Sequence, residues 1–303
     1  MAVLNYLISR SLPLVPRPVV KAFSRRYIAG DSLEDAVRVL RELNGAGYMA
    51  TLDVLGEAVD RHAMAESAVK EYLRALRLIR DERLDSNISI KLTQLGLKLD
   101  IDFCLENVRA LVRTAGEQGN FVRMDMEDSS CTTDTLDLYE RLRREGLDNI
   151  GVVLQACLRR SLKDARALPE RSNVRLCKGI YLEPRAIAYR QRGVVNKNYV
   201  RILDELIDRG FYVGIATHDE DLVWEAMRLI DQKHLPRDRY EFQMLLGVDE
   251  ELRGLIRRAG HRLRVYVPYG PHWYAYSLRR LKENPSIAGY VVANLFGRGP
   301  GTS

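Results

Sequence analysis

The chain has 303 residues, 46% hydrophobic and 29% charged, a composition ordinary for a globular protein of one large domain or two small ones. No run approaches the roughly 18–20 apolar residues of a membrane-spanning helix, so an integral membrane protein is not expected. The net charge of +6 sits mostly in the first tenth of the chain, whereas a nucleic-acid-binding protein should carry its cations on the folded body, interleaved with stacking aromatics.

Residues 1–48 read as a basic arm followed by a helix, and residues 49–303 as one catalytic domain. The arm holds Arg10, Arg17, Lys21, Arg25 and Arg26 with no acid before Asp31, among aliphatics such as Leu4, Leu7, Ile8 and Leu12. Three readings fit it: a membrane-surface anchor, an Arg-rich transit peptide, or an arm packed on the domain. Pro13, Pro16 and Pro18 interrupt any long helix there. The segment after Asp31 predicts a capped helix, with Ser32 three residues before Asp35.

From residue 50 onward, short β-branched and apolar runs alternate with stretches of helical period. The runs are ATLDVLG (50–56), NISIKLT (87–93), FVRMDME (121–127), IGVVLQA (150–156), VRLCKGI (174–180), YVGIATH (212–218), YEFQMLL (240–246) and LRVYVPY (263–269). After the third, TTDTLDLYERLRREG predicts a helix with Asp134 early and Leu136, Tyr139 and Leu142 on one face. Eight such repeats predict a closed (βα)₈ TIM-type barrel. An open doubly wound sheet is the competing architecture, but no G-x-G-x-x-G turn follows the first run. Cys104, Cys131, Cys157 and Cys177 have neither a C-x-x-C pair nor zinc-ligand spacing, which predicts reduced thiols, a reducing compartment and no metal.

A barrel of this kind places its active site at the carboxyl ends of the strands. The runs carry many polar residues there: Lys91; Asp125, Glu127 and Asp128; Gln155; Arg175, Lys178 and Tyr181; Thr217 and His218; Glu241 and Gln243; Tyr266 and Tyr269. A polar group facing inward needs a partner, so this constellation is better explained by a polar ligand site than by packing. Singly, each has a blander role, with Glu127 or Asp128 capping the next helix. Two other enzyme chemistries stay open on these residues alone. Lys91 or Lys178 would serve a Schiff-base aldolase, and Asp125, Glu127 and Asp128 would serve a Mg²⁺ barrel. A catalytically silent membrane scaffold is the non-enzymatic alternative.

The strings SIKLTQLG (89–96), RMDMED (123–128), VRLCKGIY (174–181), ATHD (216–219), EFQMLLG (241–247), RVYVPYG (264–270) and YSLRRLKEN (276–284) resemble the successive motifs of the proline dehydrogenase family, in order and over most of the chain. The match is best to short, single-function bacterial members. The resemblance implies oxidation of L-proline to Δ1-pyrroline-5-carboxylate, the first step of proline degradation to glutamate, with FAD as cofactor and a membrane quinone as electron acceptor. It implies that Lys91, Leu245, Tyr266, Tyr276, Arg279, Arg280 and Glu283 surround the substrate. Met126, Gln155, Arg175, Lys178, Gly179, Ile180, Thr217 and His218 would approach the FAD, with Asp125 and Arg175 serving catalysis and Asp125 orienting Lys91 or a flavin-linked network. An eighth helix over the barrel mouth would bring Tyr276, Arg280 and Glu283 in on one face, at i, i+4 and i+7. The expected location is the cytoplasm, including the inner surface of the cell membrane, and monomer and oligomer are both compatible with the motifs.

Overall fold

The computed structural model describes residues 20, 24, 26–56, 58–274, 276 and 277. Eight parallel strands close into a barrel in sequence order. They are β1 (Met49–Val54), β2 (Ser86–Ile90), β3 (Val122–Met124), β4 (Ile150–Gln155), β5 (Asn173–Cys177), β6 (Tyr212–Ala216), β7 (Tyr240–Leu245) and β8 (Leu263–Tyr269). Each lies within, or within one residue of, a run picked from the sequence, and β8 returns to pair with β1. The closed order excludes the open doubly wound sheet.

Helix α1 (Leu33–Gly45) precedes the barrel. Helices α2 (His62–Asp81), α3 (Ile101–Glu117), α4 (Thr132–Arg144), α5 (Ser161–Ala167), α6 (Arg192–Asp208), α7 (Glu220–Gln232) and α8 (Glu250–Arg258) each follow a strand. The expected box caps α1: Asp35 N donates to Ser32 Oγ at 3.2 Å, and Ser32 N donates back to the Asp35 carboxylate at 3.4 Å. In α4 the buried face is Thr135, Leu138, Tyr139 and Leu142. Leu136 is only half-buried, because the helix adds i+4 steps to the i+3 steps and so rotates the stripe away from it. Neither Glu127 nor Asp128 caps α4 directly, since its N-cap is Cys131.

The two faces of the sheet differ sharply in chemistry. Leu52, Ile88, Ile90, Val122, Met124, Val152, Val174, Leu176, Val213, Ile215, Phe242, Val265 and Val267 turn outward and are buried against the helices, forming the apolar core. The alternate positions turn into the barrel and are mostly polar, including Thr51 and Asp53, Asn87 and Ser89, Arg123 and Asp125, Arg175, Glu241 and Gln243, and Arg264 and Tyr266. A barrel interior is usually packed by layers of branched aliphatics. Here it is filled by hydrogen bonds.

At the amino ends of the strands, Glu241 accepts from Arg264 Nε at 2.7 Å, Gln243 Nε2 at 2.6 Å and Tyr212 Oη at 2.8 Å. Glu241 therefore lies deep in the barrel floor and not at the mouth where its run suggested. Burial opposes its charge, yet Arg264 and the hydrogen bonds from Arg264, Tyr212 and Gln243 lower its pKa from 4.5 to about 2. Beside it Arg123 donates Nη1 to the carbonyls of Val152 at 3.1 Å and Asn173 at 2.7 Å, and Nη2 to the Asn173 side chain. Burial and the Arg175 charge lower the Arg123 pKa to about 9, which leaves it a cation at neutral pH.

Glycine makes room for this layer. A Cβ on Gly151 would overlap Arg123 Nη1 and lie 2.6 Å from both the Asn173 carbonyl and Phe121 Cζ. On Gly214 it would lie 2.5 Å from Gln243 Nε2. Gly151→Ala is expected to destabilise the protein by about 1–3 kcal/mol, because a backbone oxygen cannot swing aside. Denaturant titration tests this, and a midpoint equal to wild type would show that Arg123 does not need the space.

Candidate active site

The carboxyl ends of the strands open into a cavity of about 640 Å³. Its lining holds every described residue that the motif resemblance assigned to substrate or cofactor: Lys91, Asp125, Met126, Gln155, Arg175, Lys178, Gly179, Ile180, Thr217, His218, Leu245, Tyr266 and Tyr276. Arg279, Arg280 and Glu283 lie outside the described residues. The segment leading to them does reach the site, since residues 273, 274, 276 and 277 are helical and Tyr276 lines the cavity. Tyr276 also packs with Tyr27, Ile28 and Leu55, and Ser24 Oγ donates to Ser277 Oγ at 2.6 Å. The end of the basic arm is thereby packed on the domain beside the mouth.

The centre of the floor is Asp125, just beyond the end of β3. One carboxylate oxygen accepts from Ser89 Oγ at 2.9 Å and Arg175 Nη1 at 2.6 Å, and the other from Tyr266 Oη at 2.7 Å. Arg175 is held from the far side by Gln243 Oε1 and donates to Ser89 at 3.1 Å. Its guanidinium also lies 5.3 Å from the centre of the Tyr266 ring. Burial, with the nearby Asp125 and Asp53 charges, raises the Tyr266 pKa well above its usual value, so the phenol keeps the proton it donates.

Lys91 pairs with Asp53 rather than with Asp125. Asp53 was missed in the sequence because ATLDVLG reads as an apolar strand. The available signal was its period-two alignment with Thr51, which places both inside the barrel. Burial raises the Asp53 pKa and the Asp125 charge adds to the rise, while the Lys91 ammonium pulls it down. Tyr269 turns away from the mouth and donates to Glu71 at 2.9 Å.

A second ionic knot lies toward the rim. Asp219 Oδ2 accepts from Lys178 Nζ at 2.8 Å, Arg192 Nη2 at 2.9 Å and Asn196 Nδ2 at 3.0 Å. Burial alone would raise the Asp219 pKa, but these donors hold it far below the carboxylate range. Asp219 and Arg192 were not singled out in the sequence, since a D after ATH reads as a helix start and an R in YRQRG as surface. Thr217 Oγ1 accepts from Asp219 N at 3.0 Å, and His218 Nε2 accepts from Leu245 N at 3.1 Å, which places the ring proton on Nδ1.

This geometry weighs against both other enzyme chemistries. Lys91 and Lys178 are each engaged by a carboxylate, Asp53 and Asp219, which a Schiff-base nucleophile would have to leave. The three acids expected of a Mg²⁺ site diverge: Asp125 goes to Arg175, Glu127 to Thr93 and Asp128 to Ser130.

A closed βα barrel with an ionised cluster at the carboxyl ends of its strands has the architecture of a barrel enzyme. The proline dehydrogenase model matches residues 36–292, and the chain belongs to the proline dehydrogenase family. It is 34% identical over 273 residues to proline dehydrogenase 1 of Bacillus subtilis subsp. natto, covering 90% of each chain. It is 35% identical over 297 residues to proline dehydrogenase of Deinococcus radiodurans, covering 94% of this chain and 96% of that one. Among solved structures, proline utilization A from Bdellovibrio bacteriovorus superposes with a TM-score of 0.81 at 24% identity. That match covers 90% of this chain but 34% of the other, and it supports the barrel fold.

Proposed function

We propose that this member of the proline dehydrogenase family oxidises L-proline to Δ1-pyrroline-5-carboxylate with FAD, passing the electrons to a membrane quinone. The observation that carries the reading is the Asp125–Arg175–Tyr266 cluster, with Lys91 and Asp53 beside it, on the floor of a single cavity.

The residues present suit FAD. Gln155 commits Nε2 to the carbonyls of Met126 and Glu127, both at 3.1 Å, and leaves a buried Oε1 with no acceptor role among the described residues. That oxygen would receive a ring N–H of the flavin. Gly179 has φ +94°, and a Cβ there would overlap Cys157 Sγ, so the backbone comes bare to the cavity wall. Arg175, Lys178 and Arg192 supply positive charge for a pyrophosphate and for a reduced ring. Bound FAD would supply the two-electron acceptor for the hydride leaving C5 of proline.

The remaining chemistry belongs to the chain. Lys91 with Arg279 and Arg280 would hold the proline carboxylate, with Glu283 beside them, while Tyr266, Tyr276 and Leu245 pack the ring. Asp125 positions Arg175 and the Tyr266 phenol by accepting from both, so catalysis is mainly positioning and electrostatics. A lipid-soluble acceptor suits a protein that works at the inner membrane surface. No helix among the described residues is long and apolar enough to cross a membrane, so contact would be peripheral.

Anaerobic titration with L-proline tests the reading directly: flavin bleaching is expected, and an unbleached flavin would remove it. Arg279→Met and Arg280→Met are each expected to raise the KM for proline about ten- to a hundredfold, since a bond to a charged group contributes roughly 1.5–3 kcal/mol. FAD should stay bound. Lysine at either position should rescue only in part, because it lacks the planar fork. Unchanged KM and kcat in both methionine variants would place the pair on a solvated helix face.

A further inference from the structure

We infer that the segment between β5 and α6 is a docking surface for an anionic lipid bilayer. Of the six large apolar side chains exposed among the described residues, Leu182 and Ile187 fall within six positions here, next to Ile180, which belongs to the cavity wall. Single exposed apolar residues need no explanation, but a cluster of them does. Leu182 is wholly exposed.

Arginines flank the same cluster. Arg159, Arg185 and Arg190 line a concavity of about 300 Å³ together with Tyr189, Gln191 and Val194. Arg159 donates Nε to the carbonyl of Arg185 at 3.2 Å and stacks over the Tyr189 ring at 4.4 Å. Arg190 donates Nη2 to the carbonyl of Glu183 at 3.2 Å. Among the described residues no carboxylate pairs with any of the three. The one acid in residues 180–192, Glu183, is turned inward, accepting from Ser129 N at 2.7 Å and Ser129 Oγ at 2.6 Å. The outward face is therefore cationic and apolar at once.

The segment is also held in shape. The Pro184 carbonyl accepts from Ile187 N and Ala188 N at 3.0 Å, and the strip is pinned to residues 157–159 by Arg159 N to Ile187 O at 2.9 Å and Tyr189 N to Cys157 O at 2.8 Å. A fixed apolar tip beside three unneutralised guanidinium groups matches the two layers of a bilayer surface, acyl chains below and phosphates above. A small anion would use the arginines but leave Leu182 and Ile187 in water. The place has a purpose on the proposed quinone reading, on which this part of the inference rests: Ile180 and Tyr181 belong to both the segment and the wall of the main cavity, and Arg192, which opens α6, also lines that wall. Docking there would bring the cavity mouth against the lipid.

The test is flotation of the full-length, FAD-loaded protein with vesicles rich in phosphatidylglycerol and with pure phosphatidylcholine vesicles. Wild type should float with the first and stay down with the second. The triple variant Arg159→Gln/Arg185→Gln/Arg190→Gln should lose about a hundredfold in partition, and Leu182→Asn/Ile187→Asn at least about tenfold. Proline oxidation measured with a water-soluble dye should be unchanged in both. Flotation of both variants like wild type would overturn the inference and leave the basic arm as anchor. Loss of FAD from the variants would also overturn it, by assigning the face to the cofactor. Absence of dye-coupled proline oxidation in wild type would count against the enzymatic reading alone, whatever the vesicles show.

Discussion

Glu241→Leu is expected to destabilise the protein by about 3–5 kcal/mol, the usual cost of stripping one partner from a buried ion pair. Glu241 is 2% exposed, and its loss strands Arg264, which donates Nη1 to the Ala50 carbonyl at 2.6 Å but has Glu241 as its carboxylate. It also removes the anion that offsets the neighbouring Arg123. Glu241→Leu/Arg264→Leu should recover much of the loss, because apolar side chains of similar volume replace a buried pair at little cost. Acid adds an independent readout. A carboxyl whose pKa falls from 4.5 to about 2 on folding contributes stability that is complete above 4.5 and fades as pH drops through 2. Wild type should lose stability across that window more steeply than the Glu241→Leu variant. Denaturant midpoints measured against pH decide it, and a single variant within about 1 kcal/mol of wild type would show that Arg264 is hydrated.

Asp125→Ala is expected to lower kcat/KM for proline by about 10²–10³, the scale found when a preorganised electrostatic group is removed. Three donors lose their acceptor at once: Ser89, Arg175 and Tyr266. Arg175 keeps Gln243, so it should stay in the floor but with freedom to swing toward the solvent side of the cavity. Stopped-flow reduction of the flavin by proline separates positioning from folding, since the slow step should be reduction itself with FAD content near wild type, even though the stripped Arg175 lowers the thermal midpoint. Reduction at the wild-type rate would assign Asp125 to the structure of the floor only. Tyr266→Phe, which keeps the ring and deletes one donor, should fall between the two.

The barrel was legible because alternation of apolar runs with helical stretches is a long-range pattern that single residues cannot spoil. Strand ends were less so: β3 stops at Met124 though its run continues to Glu127, where the side chains turn to partners instead, Asp125 to Tyr266 and Glu127 to Thr93 just beyond β2. The inner layer was hardest to read. Asp53 hid among aliphatics, Glu241 was assigned to the wrong end, and Arg123 and Arg264 looked like motif flanks. Each of these has its meaning only through a partner 23 to 50 residues away in sequence or farther, as with Arg264 and Glu241 or Arg123 and Asn173. The site residues themselves came from motif resemblance. Propensity gives no reason for Asp219 to gather Lys178, Arg192 and Asn196, which only the closed fold brings together.

An interior filled by hydrogen bonds also constrains how such a protein can change over generations. Aliphatic positions between strand and helix exchange one at a time, since a lost methyl is felt only by its neighbours. Inside the barrel, Gly151 must stay small while Arg123 is long, and Gly214 while Gln243 reaches Arg175. A substitution at one of these positions becomes acceptable only after another has been made, so the order of mutations matters. Swapping this inner set between relatives singly should lower the denaturant midpoint at almost every step, and swapping it whole should restore it.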